Sequence, residues 1–336
     1  MKPSAIIVLI SFLWMGTSWS EETAEHAPNV LFICIDDLRP ELGCYGKAEV
    51  ISPHIDQLAS EGMLFERAYC QVPVCGASRA SLMTGMLPTK GRFVDYRARV
   101  DTDAPNATTL PETFRKAGYT TIANGKVFHD ALDTAERSWD ELGKIDGAGG
   151  ESSDPAEWLL AYPGARVPHT LSYDPATTEQ LTEKWNQGRI FEAPDVAEDA
   201  YVDGLVAKKT IRDLKRLSES NEPFFLACGF MRPHLPFYAP KQYWDLYDRD
   251  AITIADNRYR PKGAPKELKR SGEISVYHPG EFTVNSEAWH RMMRHGYRAC
   301  VSYVDKLTGD ILSALEAEGL ADNTIVVIWG DHGWHL

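Results

Sequence analysis

Residues 29–35 read NVLFICI, and this apolar run is followed at once by Asp36 and Asp37. An apolar run without polar alternation is typical of a strand buried on both faces, as in a parallel sheet. The stretch 223–230 (PFFLACGF) has the same character, 324–330 (TIVVIWG) is expected to form a last strand, and a shorter strand is expected at 119–123. Helical patterns alternate with these runs. We therefore predict an α/β fold whose mainly parallel sheet is flanked by helices.

The apolar spacing predicts the connecting helices, and two long stretches show no sustained period. The irregular stretches are 139–192 and 251–286, which we interpret as surface loops of the kind that often carry function. The helices are expected at 53–61, 109–117, 195–217 and 289–315.

Composition limits the classes of function. The 336 residues are 43% hydrophobic and 25% charged, which is typical of a soluble globular protein with one large domain or two smaller ones. The formal net charge is −13, so the chain lacks the basic surface that nucleic-acid binding requires, and no nucleic-acid partner is expected. Six cysteines in a chain of this length do not indicate a disulfide framework.

The N-terminal residues 1–20 have the pattern of a secretory signal peptide. Lys2 precedes the mostly apolar run 5–15, and small residues at 18 and 20 frame a cleavage site. The apolar run is too short to span a bilayer comfortably, and no later stretch is apolar enough. We expect a secreted or periplasmic protein with no membrane span after signal removal, in which residues 21–336 form the catalytic domain.

Polar side chains follow each of the four expected strands. Since the carboxyl ends of parallel strands meet at one edge of a sheet, these side chains are expected to converge. A single acidic residue after a strand is often only a turn or cap residue, but four such groups together favour a functional site. The groups are Asp36 and Asp37, Lys126 and His129, Arg232 and His234, and Asp331 and His332.

Three of these groups are carboxylates that would repel one another. A divalent cation between Asp36, Asp37 and Asp331 removes that cost. Oxygen ligands favour Ca²⁺ or Mg²⁺, whereas the nitrogen of His332 leaves Zn²⁺ or Mn²⁺ open. The residues alone therefore predict a metal site without selecting the ion.

Residues 75–85 (CGASRASLMTG) match the pattern C-x-[PA]-x-R-x-x-L-x-T-G, and the chain thereby resembles the sulfatase family. The resemblance runs from residue 29 to 336, and within the family it is strongest to iduronate-2-sulfatases and their bacterial relatives. It implies an alkaline-phosphatase-like fold. The further motifs, in order, are DDLRPELGCYG (36–46), SPHIDQLAS (52–60), GKVFH (125–129), RPHLPF (232–237) and GDHGW (330–334).

The resemblance implies a role for each matching residue. A formylglycine-generating or anaerobic sulfatase-maturing enzyme oxidises Cys75 to formylglycine (3-oxoalanine), whose hydrate is a geminal diol. One hydroxyl attacks sulfur and the other lets the sulfated intermediate collapse, which divides one difficult step into two. Arg79 is expected to hold a diol oxygen and Lys126 a sulfate oxygen. His129 is expected to take the diol proton, and His234 to protonate the departing sugar oxygen.

The resemblance also selects the metal and the substrate class. It implies one Ca²⁺ held by Asp36, Asp37, modified Cys75, Asp331 and His332, and a sulfated saccharide, such as a 2-O-sulfated uronic acid, as substrate. Two alternatives stay open. One is a phosphodiesterase or phosphonate hydrolase of the same superfamily, and the other is a catalytically silent homologue that binds sulfated glycan.

Two departures from the family pattern affect the expectation. Relatives continue beyond GDHGW with a further active-site lysine and a smaller C-terminal antiparallel domain, so the resemblance implies that this subdomain is missing here. Ala77 stands where proline is commoner, which the motif tolerates.

Overall fold

The computed structural model describes residues 27–143, 189–220, 222–257, 259–265 and 272–334. The predicted signal peptide, residues 1–20, lies outside the described residues, as does most of the irregular stretch 139–192. Among the helices that are described, none combines the length and the apolar character needed to cross a membrane.

A five-stranded parallel sheet forms the centre of the described fold, with the strand order β3-β2-β5-β1-β7. Its members are β1 (Asn29–Ile35), β2 (Thr120–Gly125), β3 (Glu141–Leu142), β5 (Phe224–Phe230) and β7 (Thr324–Gly330). A separate two-stranded parallel sheet pairs β4 (Phe191–Glu192) with β6 (Phe237–Tyr238). The prediction of a parallel sheet built on residues 29–35 is confirmed.

The register aligns the carboxyl ends of the long strands. Ile35 pairs with Phe230 of β5 on one side and with Gly330 of β7 on the other. Gly125 of β2 pairs with Gly229 of β5. The residues that follow β1, β2, β5 and β7 therefore begin at the same edge of the sheet.

Helices connect the strands and cover the sheet. Local sequence explains several of their ends: Thr109 and Glu112 form a reciprocal capping box, and the side chain of Ser286 accepts a hydrogen bond from the N–H of Trp289. The helices are α1 (Pro53–Glu61), α2 (Cys75–Thr84), α3 (Val100–Asp103), α4 (Leu110–Lys116), α5 (Ala135–Ser138), α6 (Val202–Ser218), α7 (Lys241–Trp244) and α8 (Glu287–Ala317).

The two faces of the sheet carry separate apolar clusters. From β1, Leu31, Ile33 and Ile35 join the cluster that includes residues of α6 and α8, whereas Val30 and Phe32 join the cluster that includes residues of α2. This alternation is what a strand buried on both faces produces. The sheet is therefore a rigid platform from whose edge the candidate site projects.

One helix begins later than predicted. The pattern predicts a helix from residue 195, but α6 begins at Val202 after a short 3-10 turn at Glu198–Ala200. That turn lies against the start of α6 so closely that a Cβ on Gly204 would come within 2.1 Å of the carbonyl oxygen of Glu198. The chain therefore changes direction before the helix begins. The spacing of apolar residues, from which the helix is predicted, does not mark such a change of direction.

Candidate active site

Acidic side chains from the first and last long strands meet at the carboxyl edge of the sheet. Asp36 and Asp37 follow β1, Asp331 follows β7, and all three are fully buried. The N–H of Asp37 donates to Oδ1 of Asp331 over 3.0 Å, although 294 residues separate them in the chain. Asp37 has a φ of 61°, a left-handed conformation that is uncommon outside glycine. The predicted convergence of these two strand ends is confirmed.

Cys75 is the first residue of helix α2 and lies among these carboxylates. Its Sγ lies 3.3 Å from Oδ1 of Asp36 and 3.0 Å from Nε2 of His332. One potential ligand atom from each of Asp36, Cys75, Asp331 and His332 lies within 4.8 Å of the others. Four of the five predicted metal ligands therefore form one cluster.

Asp37, the fifth predicted ligand, lies beside this cluster. Its Oδ1 is 2.7 Å from Nδ1 of His332. The other oxygen of Asp37, Oδ2, is buried without a hydrogen-bond partner among the described residues and lies 3.7 Å from Nε2 of His234. Unpartnered buried carboxylate oxygens are costly unless a cation compensates them. The donor set of three carboxylates, one imidazole and the Cys75 sulfur fits a divalent cation.

Burial and neighbouring charges perturb the pKa of Asp36 and of Asp331. Burial acts to raise the pKa of Asp36, but Lys126, His234 and Arg79 hold it well below the usual range. Burial raises the pKa of Asp331, and the neighbouring Asp36 raises it further. The nearby cations therefore stabilise the ionised form of Asp36, whose charge in turn disfavours ionisation of Asp331.

His332 is also strongly perturbed. Burial acts to lower its pKa, but Asp37, Cys75 and Asp331 together raise it to about 12. Ligation requires a neutral imidazole, so a cation that binds here takes the place of the His332 proton. The cation then supplies the positive charge that is lost with the proton, so the neighbouring carboxylates keep a cationic partner.

Arg79 lies one turn into helix α2 and is fully buried. Its Nε donates to Oδ2 of Asp331 over 2.8 Å, and its Nη1 donates to the carbonyl oxygens of Lys126 and Val127. Its Nη2 is buried without a hydrogen-bond partner, 3.8 Å from Oδ1 of Asp36. One guanidinium N–H group therefore remains available inside the site, as the predicted contact to an oxygen requires.

Lys126 and His129 follow β2. Lys126 approaches β5 closely, because a Cβ on Gly229 would lie 2.1 Å from its backbone, and its Nζ donates to Oδ2 of Asp36. His129 has a buried Nδ1 without a partner. Burial, with Lys126 nearby, lowers the pKa of His129 to about 3, so the imidazole is neutral near pH 7.

His234 follows β5 and reaches the opposite side of the cluster. Its Nδ1 donates to the carbonyl oxygen of Leu235 over 2.6 Å, and its Nε2 lies 3.7 Å from Oδ2 of Asp37. Burial acts to lower the pKa of His234, but Asp36, Asp37 and Glu273 raise it to about 10. The two histidines therefore have opposite protonation states at neutral pH.

Sequence reasoning missed two residues that bear on His234. Glu273, from the predicted irregular stretch, places Oε1 3.2 Å from Nε2 of His234. Asp203, at the start of α6, accepts hydrogen bonds from the N–H groups of Met231 and Arg232. An acidic residue at a helix start is a visible signal for Asp203, whereas no periodic pattern marks Glu273.

The arrangement combines a nucleophile position, a cation site and proton-transfer groups. The first turn of helix α2 leaves backbone N–H groups without intrahelical acceptors, which favours an anion near Cys75. Arg79 and Lys126 add two buried cations at the same place. Arg79, Lys126 and the helix N-terminus are therefore the groups through which an otherwise acidic chain can bind an anionic substrate.

Comparisons with known proteins agree with this geometry. The family model described as Sulfatase matches residues 28–336. Mouse (Mus musculus) iduronate 2-sulfatase is 35% identical over 94% of this chain, and the match covers 56% of that protein, so the chain spans about half the length of this relative.

Solved structures share the fold. The phosphonate monoester hydrolase of Agrobacterium radiobacter superimposes with a TM-score of 0.63 at 23% identity, covering 92% of this chain and 64% of that one. A protein solved with its substrate D-glucosamine-2-N,6-O-disulfate gives a TM-score of 0.62 at 19% identity, covering 92% of this chain and 66% of that one. The alkaline-phosphatase-like architecture is thereby confirmed, and the chain belongs to the sulfatase family.

Proposed function

We propose that this chain carries the catalytic site of a sulfuric ester hydrolase that removes sulfate from a saccharide. The observation that carries the proposal is the position of Cys75. Its Sγ lies 3.3 Å from Asp36 and 3.0 Å from His332, at the N-terminus of a helix and beside the unpartnered Nη2 of Arg79. A structural cysteine needs none of these neighbours.

The substrate class is supported by the relatives. A 2-O-sulfated uronic acid or a similar sulfated sugar is the proposed substrate, because the mouse relative is named iduronate 2-sulfatase. The structural neighbour that binds a disulfated glucosamine supports a sulfated sugar more broadly.

Two groups complete the proposed site. Cys75 is converted to formylglycine by a formylglycine-generating or anaerobic sulfatase-maturing enzyme, and its hydrate supplies an oxygen nucleophile. Asp36, Asp37, Asp331, His332 and the modified Cys75 would hold one Ca²⁺, which supplies charge neutralisation and polarisation of the ester.

The remaining residues of the chain bind the sulfate and move protons. Lys126 exchanges its contact with Asp36 for a sulfate oxygen, and Nη2 of Arg79 holds an oxygen beside Cys75. Neutral His129 accepts the diol proton at its unpartnered Nδ1. Cationic His234 donates a proton from Nε2 to the leaving oxygen, because its Nδ1 is already engaged with Leu235.

Mass spectrometry and sulfate release test this proposal together. The chain is produced with a maturing enzyme, the Cys75 peptide is analysed, and sulfate is measured after incubation with a 2-O-sulfated disaccharide. We expect formylglycine at residue 75 and sulfate release that Cys75→Ala abolishes. Cys44→Ser, a change outside the cluster, is the control. An active protein with an unmodified Cys75 thiol contradicts the proposal.

A second candidate function is hydrolysis of phosphonate monoesters or phosphate diesters. The structural similarity to a phosphonate monoester hydrolase favours it. Turnover of an aryl sulfate is compared with that of the matching aryl phosphate diester by the same matured protein. A preference for the sulfate supports the first proposal, and a preference for the phosphate diester supports the second.

Export to a secreted or periplasmic location is part of the proposal. It rests on the signal-peptide pattern of residues 1–20, after which the proposed catalytic domain begins. N-terminal sequencing of the exported protein is expected to begin near residue 21. A mature protein that retains Lys2 contradicts this expectation.

A further inference from the structure

An exposed aromatic side chain lies at the edge of the candidate site. Tyr96 is 54% exposed, and its ring meets that of His129 edge-on, with the two centroids 6.2 Å apart. The sheet platform does not require this ring, since Tyr96 belongs to neither of the two apolar clusters. An exposed aromatic group beside a proton-transfer residue is a candidate contact for substrate.

The backbone of Tyr96 is fixed against the helix that carries Cys75. A Cβ on Gly76 would lie 2.1 Å from the carbonyl oxygen of Tyr96, so only glycine allows this close approach. Arg99 forms a 2.9 Å ion pair with Asp130, the residue after His129. The segment that carries Tyr96 is therefore held at both the nucleophile helix and the His129 turn.

The ring itself is supported from one side. The guanidinium of Arg97 lies 5.4 Å from the centroid of the Tyr96 ring. Asp95 holds that guanidinium, since it accepts from the backbone N–H of Arg97 over 2.9 Å and from its Nη2 over 3.0 Å. The Asp95–Arg97 pair is electrically balanced, so it positions the ring without adding net charge.

We propose that Tyr96 is a substrate-binding residue that packs against the sugar ring of the ester whose sulfate faces Cys75. This inference rests on the proposed function and identifies what distinguishes a saccharide ester from a small acyclic one. An aromatic surface that is already in place gains contact area with a pyranose ring at little cost in conformational entropy. Tyr96 thus selects for the ring, whereas Arg79, Lys126 and the helix N-terminus select for the sulfate.

Steady-state kinetics of the matured protein test this role with two substrates. One is a 2-O-sulfated uronate disaccharide and the other is choline sulfate, which has no ring. For Tyr96→Ala we expect KM for the disaccharide to rise about tenfold, which corresponds to about 1.4 kcal/mol, while kcat changes less than about threefold. The rise in KM for choline sulfate in the same variant is expected to be at least about fivefold smaller.

Two further variants separate packing from structure. Tyr96→Phe retains the ring and is expected to recover most of the lost affinity. Tyr259→Ala removes a tyrosine that is 81% exposed and serves as the matched control. Equal losses on both substrates in Tyr96→Ala, or no loss on the disaccharide, overturn the inference.

A binding measurement keeps this test distinct from the test of catalysis. Calorimetry follows the same disaccharide binding to Cys75→Ala and to Cys75→Ala combined with Tyr96→Ala. A dissociation constant about tenfold weaker in the double variant supports the role of Tyr96 even if no turnover is found. An unchanged dissociation constant, or the absence of binding to both variants, overturns the role of Tyr96. Failure of the proposed function is detected separately, as the absence of sulfate release by the wild-type protein.

Discussion

Nε of Arg79 lies 2.8 Å from Oδ2 of Asp331, and both side chains are completely inaccessible to solvent. The ion pair joins helix α2 to the end of β7, and the same guanidinium also binds the turn after β2. Arg79→Lys cannot reproduce the planar fork, so one buried carboxylate and two carbonyl oxygens lose donors. We expect a loss of about 3 to 5 kcal/mol in the free energy of unfolding, measured by urea denaturation.

The exposed pair between Arg216 and Glu141 is the control for that loss. Arg216→Lys is expected to change stability by less than about 1 kcal/mol, because exposed ion pairs contribute little. Equal effects of the two lysine variants would show that the buried pair is not the structural link described above.

Calcium is expected to stabilise the chain through the buried carboxylate of Asp37, whose Oδ2 has no hydrogen-bond partner among the described residues. At a concentration of about 100 times Kd, the gain is about 2.7 kcal/mol. Asp37→Asn removes one charge from the site, so the gain should fall below about 1 kcal/mol. Thermal melting with Ca²⁺, with Mg²⁺ and with a chelator measures the response. Asp213→Asn, a buried carboxylate outside the cluster, should retain it, and an unaltered response in Asp37→Asn counts against the assignment.

Asp203 is expected to position His234 through the backbone. Its two oxygens accept hydrogen bonds of 2.8 Å and 2.9 Å from the N–H groups of Met231 and Arg232. Asp203→Asn replaces one acceptor by a donor, so the turn that leads to His234 shifts. We expect kcat for sulfate release to fall about tenfold or more while KM changes less than about threefold.

Asp199→Asn is the matched control for Asp203, since Asp199 pairs with Lys208 in an exposed position. It should leave both kinetic constants near wild type. A KM increase without loss of kcat in Asp203→Asn would assign this residue to substrate affinity instead.

Asp305 is expected to make stability depend on pH. It accepts hydrogen bonds from the N–H groups of His54 and Ile55, yet burial raises its pKa from 3.8 to about 6. The folded state therefore holds this proton more tightly than the unfolded state, and stability falls as pH rises from about 4 to 6. The total loss is about 3 kcal/mol. Asp305→Asn should remove it, so the stability of wild type relative to the variant should fall by about 3 kcal/mol between about pH 4 and 7.

Urea denaturation of wild type and of Asp305→Asn at about pH 4 and at about pH 7 measures this change in relative stability. Asp310→Asn, which removes an exposed partner of Lys306 on the same helix, should run parallel to wild type at all pH values. Parallel curves for Asp305→Asn as well would refute the pH assignment.

Strands buried on both faces could be predicted from the sequence alone. β1 and β5 have no polar alternation and are buried at every residue, whereas β7, at the edge of the described sheet, shares the apolar pattern but is only partly buried. The polar residues that follow these three strands meet where parallel topology requires. The two-residue strands β3, β4 and β6 are too short to show any period. Length, more than composition, therefore separated the strands that were predicted from those that were not.

The site divides in a similar way. Helix α2 is buried on nearly all sides, so it has no amphipathic pattern, and the apolar spacing that predicts the other long helices does not reveal it. The cluster of carboxylates followed from strand ends, but the choice of Ca²⁺ rests on resemblance alone. The contact between Glu273 and His234 joins an irregular segment to a strand end, and local sequence carries no signal for such a pairing.

The pairing of β1 with β7 has a consequence for the order of events during synthesis. His332 follows Cys75 by 257 residues, and at about 5 to 20 residues per second the ribosome needs roughly 10 to 50 seconds to cover that interval. In the folded chain only 5% of Cys75 is accessible. For the proposed conversion of Cys75, the enzyme that acts on this thiol therefore has a limited time window on the nascent polypeptide, which closes when β7 docks beside β1.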